Sequence, residues 1–317
     1  GEGDLFLKVA VSEALMRSTS GGLVAGLGSH DIALPPIVKW GPQAMRERVV
    51  PEVLSGQAVA ALAITEPGGG SDVANLKTRA VKDGNSYRVS GSKTFITSGH
   101  RADYYTVAVR TGEPGHSGIS MLLVERDSPG FTRGRMLKKT GWWASDTAEL
   151  FFDDVTVRAE NLIGQENGGF MVIMTNFLQE RLMLCIMGAM TARLALEQAM
   201  AYSREREAFG RSISGFQVTR HKLVDMATQV ELATQYTYHC AALMDAGKAP
   251  VKEVAMAKNY TASVAESVTR EAVQLHGGMG YMREAGVERL ARDARILAIG
   301  GGTTEVMKEL IAKQMKL

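Results

Sequence analysis

"AITEPGGGSDVAN", residues 63–75, lies where the texture of this chain changes. A short apolar run ends at Thr65, and Pro67 with Gly68, Gly69 and Gly70 interrupts any regular structure before Ser71 and Asp72. Such a loop offers backbone N–H groups and hydroxyls to an anionic or polar ligand. The same residues also make a plain connection between strands, and the loop alone supports both readings. Its position is more informative: the pattern upstream is helical, and downstream it is that of strands.

Residues 1–57 read as helices. "DLFLKVAVSEALMR" (4–17) repeats apolar residues at helical spacing, and "GPQAMRERVVPEVLSG" (41–56) has Pro42 at its first turn and Gly56 at its end. "GGLVAGLG" (21–28) completes no dinucleotide fingerprint and reads as small residues that let helices pack. From residue 58 the runs "AVAALAIT", "YRVSGSKTFIT", "YYTVAVR", "GISMLLVE" and "TAELFFDDVTV" are short and β-branched or aromatic, with Gly, Pro, Asp and Asn between them. That is the pattern of an antiparallel barrel or sandwich. From Gly168 helical patterns return at about 169–205, 214–245, 250–276 and 284–297, with a last short one from Thr303. The fold class is α+β: a partial N-terminal helical domain (1–57), a middle antiparallel β-barrel domain (58–165) and a C-terminal four-helix bundle (166–317).

The 317 residues are 45% hydrophobic and 22% charged, an ordinary globular balance. A net charge of +2 without a Lys/Arg run gives no support for nucleic-acid binding. Cys185 and Cys240 lie in apolar helical patterns without metal or disulfide spacing, and the six histidines show no ligand motif. The longest apolar run, Leu182–Ala192, is too short to span a bilayer, so no membrane span is expected. The chain starts at Gly1 in a helical pattern, and no targeting segment is expected within it.

Two long motifs carry a family resemblance. "TEPGGGSD" (65–72) resembles the first signature of the acyl-CoA dehydrogenases, and "QLHGGMGYMREAGVERLARD" (274–293) resembles the second. The helix–barrel–bundle order agrees, and the resemblance covers essentially the whole chain. Asn75 departs from the small residue usual there, and the additional helices that usually begin members of the family are missing. The resemblance implies FAD as cofactor. On it, Thr65 lies beneath the pyrimidine side of the flavin, and Ser71 lies near both the cofactor and the pantetheine of the substrate. Phe95, in "TFITSG" (94–99), covers one flavin face, and Thr97 donates its hydroxyl to flavin N5. From spacing alone, Phe95 and Thr97 also fit one more alternating barrel strand. "SREREAFGRSISGFQ" (203–217) resembles the segment that reaches a neighbouring subunit's FAD. Arg206 would then meet the pyrophosphate, where its planar fork suits phosphate, Phe209 the adenine end, and Gln217 the ribityl–phosphate region. Read by itself, that stretch is equally an exposed charged helix end. Gln274 and Gly278 resemble further contacts to the partner's cofactor, with Gly277, Gly278 and Gly280 allowing close backbone approach, and Thr303 and Glu305 are candidates near the FAD at a helix start.

Many members of the family place the catalytic glutamate where this chain has Gly301. A base for the α-carbon of an acyl thioester needs a carboxylate in a dry pocket. "FLQERLMLCIMGA" (177–189) supplies Glu180 among Phe177, Leu178, Leu182, Met183 and Leu184, where desolvation raises a carboxyl pKa. A glutamate paired with Arg181 or capping a turn is the structural alternative. The segment resembles the isovaleryl-CoA and long-chain acyl-CoA dehydrogenase branches, in which the base is the glutamate of a similar "ERL" stretch and position 301 is small. Arg181 is then expected to hold the pocket and nearby backbone at the substrate, and the Gly301 N–H to bond the thioester carbonyl. A glutamate placed at 301 when Glu180 is neutralised is expected to face the same carbon and restore part of the rate.

The function this implies is FAD-dependent α,β-dehydrogenation of an acyl-CoA thioester. Electrons would pass to an electron-transfer flavoprotein, and the enzyme would be a homo-oligomer, a dimer of dimers, in a bacterial cytoplasm or a mitochondrial matrix. An acyl-CoA oxidase or flavin monooxygenase of the same fold, and a catalytically silent FAD-binding scaffold, are the alternatives. Chain length of the substrate is open, and Trp142 and Trp143 fit core or interface better than pocket rim.

Overall fold

A computed structural model describes residues 4–317. By packing they form two compact units. One comprises residues up to Val24, Thr140–Trp142 and Leu178–Leu317; the other comprises Ala25–Lys139 and Trp143–Phe177.

The chain opens with four helices: α1 (Leu5–Met16), α2 (Gly21–Leu27), α3 (Ser29–Trp40) and α4 (Gln43–Leu54). Asp4 caps α1 by accepting from the Phe6 N–H. α3 was not separately legible, because "SHDIALPPIVKW" carries Pro35 and Pro36 inside the helix. Pro36 cannot donate to the carbonyl of Ile32, and that carbonyl accepts instead from Asn176 Nδ2 at 2.8 Å. The Ala33 carbonyl likewise accepts from Thr106 Oγ1 at 3.0 Å.

The strands of the second unit are β1 (Ala60–Ala63), β2 (Arg79–Asp83), β3 (Ser86–Thr97), β4 (Tyr104–Arg110), β5 (Ile119–Glu125), β6 (Phe131–Met136), β7 (Thr147–Arg158) and β8 (Leu162–Ile163). They form one sheet in the order β6-β7-β3-β2-β4-β5-β8, with β1 added beside β4. Two pairings depart from the antiparallel expectation: β1 and β2 each run parallel to β4. The reason is connectivity, since the β2–β3 hairpin intervenes between β1 and β4 and supplies the crossover that a parallel pair requires. β4 and β5 are buried on both faces. Tyr104, Ala108, Met121 and Leu123 face Ala33, Ile37, Val49 and Val53 of α3 and α4. The alternate residues Tyr105, Val107, Val109, Leu122 and Val124 pack with Tyr87, Val89, Phe131, Leu150 and Phe152. Each of the valine, leucine, isoleucine, methionine and phenylalanine side chains among these contributes roughly 1.5–3 kcal/mol by leaving water.

The first unit is helical: the long α5 (Gly169–Glu205, its residues from Leu178 onward), α6 (Gln217–Asp245), α7 (Val251–His276), α8 (Val287–Ala294) and α9 (Thr304–Met315). A short hairpin, β9 (Glu207–Ala208) with β10 (Arg211–Ser212), precedes α6. α1 joins this core through Val9 and Met16, and its Glu13 accepts from Tyr238 of α6 at 2.5 Å. Among the described residues α5 is the one helix long and apolar enough, by length and composition, to cross a membrane, and half of its apolar stretch is buried. Leu182, Cys185, Ile186, Met190 and Ala195 of α5 lie in the bundle core, as in any central helix of a packed bundle. α5 and α7 touch at Gly188, where an added Cβ would stand 3.0 Å from Thr261 Cβ. That close crossing sets Glu180, two turns before Gly188, and Lys258, one turn before Thr261, on the same side of the bundle.

Candidate active site

Three of the expected residues meet in the helical unit. Gly301 stands in a left-handed conformation (φ +64°), and a Cβ there would lie 2.4 Å from Leu184 Cδ1 and 3.7 Å from Glu180 Oε1. Glu180 therefore borders the space that a side chain at position 301 would enter. Its Oε2 is shut off from solvent and accepts no hydrogen bond from the described residues. Burial pushes the Glu180 carboxyl up to about 7, against the opposing pull of Arg181 and Lys258. Arg181 Nε donates to the Gly301 carbonyl at 3.1 Å, while its charge also acts on Glu180.

The glycine triplet 300–302 is required by its own chain. Gly302 has φ +107°, and a Cβ there would meet Met307 Cε at 2.6 Å. Arg181 takes the Gly301 carbonyl and Lys258 Nζ takes the Gly302 carbonyl at 2.5 Å. With both carbonyls turned to cations, the Gly301 N–H donates to nothing among the described residues and is available to a ligand. A glutamate placed at 301 would have to accept the left-handed backbone and displace Leu184 Cδ1. Thr303 caps α9, its Oγ1 accepting from the Val306 N–H at 3.3 Å. Glu305 is exposed in the first turn, its carboxyl held low by the helix-start N–H and the Thr303 hydroxyl, which accounts for an anion at that position.

The remaining candidates of this unit lie at the hairpin and at the end of α7. Arg206 is exposed, and its backbone is tied to Tyr202 and Ile213. Phe209 sits at the hairpin tip with φ +52° and is 96% exposed. Gln217 begins α6 and Gln274 lies near the end of α7, both exposed. Gly278 has open space where a Cβ would be, whereas Gly280 is glycine because a Cβ would stand 2.3 Å from the Val273 carbonyl. Of residues 203–217, those up to Glu205 end α5, and 207–212 form the hairpin.

In the sheet unit, the loop from Thr65 meets the end of β3. The Thr65 carbonyl accepts from the Thr94 N–H at 2.9 Å. Phe95 follows with φ +58° and is 68% exposed, and Thr97 ends the strand opposite Thr147. The register slips between Lys93 and Ile96, so Phe95 is not simply one more alternating position. Ser71 is exposed in the loop. Asn75 braces that loop by donating to Asp72 at 2.5 Å.

Two segments of the chain match family descriptions: residues 61–155 match "Acyl-CoA dehydrogenase, middle domain" and residues 167–316 match "Acyl-CoA dehydrogenase, C-terminal domain". The chain belongs to the acyl-CoA dehydrogenase family. This is a family of flavoprotein oxidoreductases that act on CH–CH bonds. The chain is 38% identical to the mitochondrial long-chain specific acyl-CoA dehydrogenase of Sus scrofa, over 99% of this chain and 73% of that one. It is 39% identical to a cyclohexane-1-carbonyl-CoA dehydrogenase of Geobacter metallireducens, over 98% of this chain and 81% of that one. Among solved structures, a probable acyl-CoA dehydrogenase from Mycobacterium abscessus superposes with a TM-score of 0.97 at 51% identity, covering 99% of this chain and 84% of the other.

Sequence reasoning missed two buried lysines. Lys93, fully buried in β3, donates to the Ile64 carbonyl at 2.9 Å and to Glu66 Oε1 at 2.8 Å. Glu66 also accepts from the N–H groups of Lys77 and Thr78. Burial opposes ionisation of Glu66, but Lys93 and those N–H groups outweigh it and hold the carboxyl low. Lys93 thus staples the base of the 65–71 loop to β3. The second, Lys258, lies under the glycine triplet. A lysine in the apolar stripe of α7 was the available signal.

Proposed function

We propose that the chain catalyses FAD-dependent α,β-dehydrogenation of an acyl-CoA thioester to the trans-2-enoyl-CoA, with Glu180 as base. The observation that carries this reading is a dry carboxylate with an unpartnered oxygen beside a glycine whose N–H is free. FAD suits the donor set: open glycines at Gly68, Gly69 and Gly278, threonines at 65, 97 and 303, and an exposed aromatic at Phe95. Bound FAD supplies the acceptor for the hydride that leaves the β-carbon. Glu180 takes the α-proton and becomes a neutral acid, a state its surroundings favour. The Gly301 N–H donates to the thioester carbonyl, acidifying that proton. Arg181 keeps the Gly301 peptide oriented, and Ser71 serves the pantetheine end.

Thr65, Phe95, Thr97, Thr303 and Glu305 serve the subunit's own cofactor. Arg206, Phe209, Gln217, Gln274 and Gly278 serve that of a neighbouring copy, which gives the exposed Phe209 a purpose. The assembly is a dimer of dimers, and an electron-transfer flavoprotein reoxidises it. A bacterial cytoplasm or a mitochondrial matrix accords with the sources of the relatives. The test is anaerobic titration of the purified flavoprotein with butyryl-, isovaleryl-, octanoyl- and palmitoyl-CoA. Bleaching of the flavin by at least one supports the reading, and no bleaching by any contradicts it. A light-scattering mass of a single chain with FAD still bound would remove the shared-cofactor assignment.

A further inference from the structure

Lys258 is 1% exposed, yet no carboxylate is bonded to it among the described residues. Its ammonium donates to the carbonyls of Leu297 at 3.1 Å and Gly302 at 2.5 Å. Lysines are almost never buried to this extent unless paired, since desolvating the charge costs several kcal/mol. An apolar residue would pack the same stripe of α7 without that cost. The place where the cation is spent is therefore informative. Lys258 Cε lies 3.5 Å and Glu180 Oε1 lies 3.7 Å from the single point where a Gly301 Cβ would stand. The lysine stem and the carboxylate thus approach one glycine, and no ion pair joins the two side chains among the described residues.

We propose that Lys258 is a positioning residue for proton abstraction: its buried ammonium fixes the triglycine turn through the Gly302 carbonyl and serves as the counter-ion that Glu180 faces across Gly301. The inference rests on Glu180 being the base. The charged groups acting on that carboxylate are Arg181 on its own helix and Lys258 on α7, and Lys258 in turn is near the Cys185 thiol. The turn itself contributes only backbone. Arg181 donates through Nε to the Gly301 carbonyl and acts on the carboxylate from its own helix, so Lys258 is the second cation and the one that approaches across the turn. A direct Lys–Glu ion pair would hold the carboxylate ionised and poorly basic. A cation set one glycine away leaves the oxygen unpartnered for the substrate proton while keeping the ionised form accessible near neutral pH.

Lys258→Gln keeps a donor and removes the charge; Lys258→Arg keeps the charge. The readout is the pH dependence of anaerobic flavin reduction between pH 5.5 and 9, using whichever of the four acyl-CoAs reduces the wild type fastest. Lys258→Gln moves the acid limb up by about one unit, the low end for loss of a nearby opposite charge. Reduction on that limb is then about tenfold slower, while Lys258→Arg keeps the wild-type limb whatever its plateau rate. A purely structural lysine would lower FAD content or thermal stability without moving the limb, and an unmoved limb in Lys258→Gln overturns the inference. Glu180→Gln, run alongside, separates the two assignments. If it reduces flavin at the wild-type rate, the base assignment fails and this one with it. If it stops reduction while the Lys258→Gln limb stays put, only the Lys258 inference fails. Should Lys258→Gln not fold, a second neutral variant is used. The same limb is then read in Lys258→Met, which fills the apolar stripe without a charge: a limb moved up supports the counter-ion role, and an unmoved limb overturns it.

Discussion

Replacing Glu180 by glutamine should make the protein more stable at alkaline pH, by an amount that follows from the burial of the carboxyl. In the folded chain burial holds the group near 7, against 4.5 for an ordinary glutamate. Below about pH 4.5 the group is protonated in both folded and unfolded chains, and it costs nothing. As pH rises towards 7 the unfolded chain releases the proton while the folded chain retains it, so stability falls. Above 7 the loss is complete and level, at about 3 kcal/mol. Glutamine has the same shape and no charge to desolvate, so the difference between variant and wild type should open between pH 5 and 7 and stay constant to pH 8.5. For a chain of 317 residues, about 3 kcal/mol corresponds to roughly 5 °C in Tm. The assay is thermal unfolding of both holoproteins at matched FAD, followed by flavin fluorescence across that pH range. A difference that is independent of pH, or a variant less stable at pH 8, would refute the reasoning, because it would mean the carboxylate is compensated in the fold.

Four further outcomes follow from the same geometry. Gly301→Ala should lose about 1–3 kcal/mol by overpacking against Leu184, read as a lower urea midpoint at unchanged slope; Glu180→Gln with Gly301→Glu should regain activity only when Leu184→Ala is added. Lys93→Met strands Glu66 as a buried unpaired charge, a change that costs about 3–5 kcal/mol, and should lower both Tm and the FAD-to-protein ratio; full FAD retention would remove the staple from the account. Thr97→Val should slow flavin reduction with FAD still bound, and unchanged kinetics would take Thr97 out of the site.

Much of the fold is legible because its signals are local. The helical periods at 169–205 and 250–276 coincide with α5 and α7, and Thr303 caps the last helix as its side chain suggests. β4 and β5 stand out as continuous apolar runs because both of their faces are covered. What escaped depends on partners distant in sequence. The double proline of α3 is tolerated only because Asn176 takes an orphaned carbonyl. The left-handed backbone at Phe95 follows from a register slip against β7, which alternation cannot reveal. Glu180 was recognisable from its apolar neighbours on one helix, and Gly301 from the missing carboxylate. Lys93 and Lys258 were not, because a lysine in a pattern reads as solvated until the carbonyls that receive it are known.

The central claim is that Glu180 removes the substrate's α-proton, and single-turnover flavin reduction in Glu180→Gln tests it most directly. The variant, loaded with FAD, is mixed anaerobically with the acyl-CoA that reduces the wild type, at pH 8, where the wild-type carboxylate is ionised. Binding of substrate is followed separately by the perturbation of the flavin spectrum. The account predicts that FAD and acyl-CoA still bind while reduction slows by on the order of 10²–10⁴ or more, the usual cost of losing a general base. Reduction at the wild-type rate would contradict it.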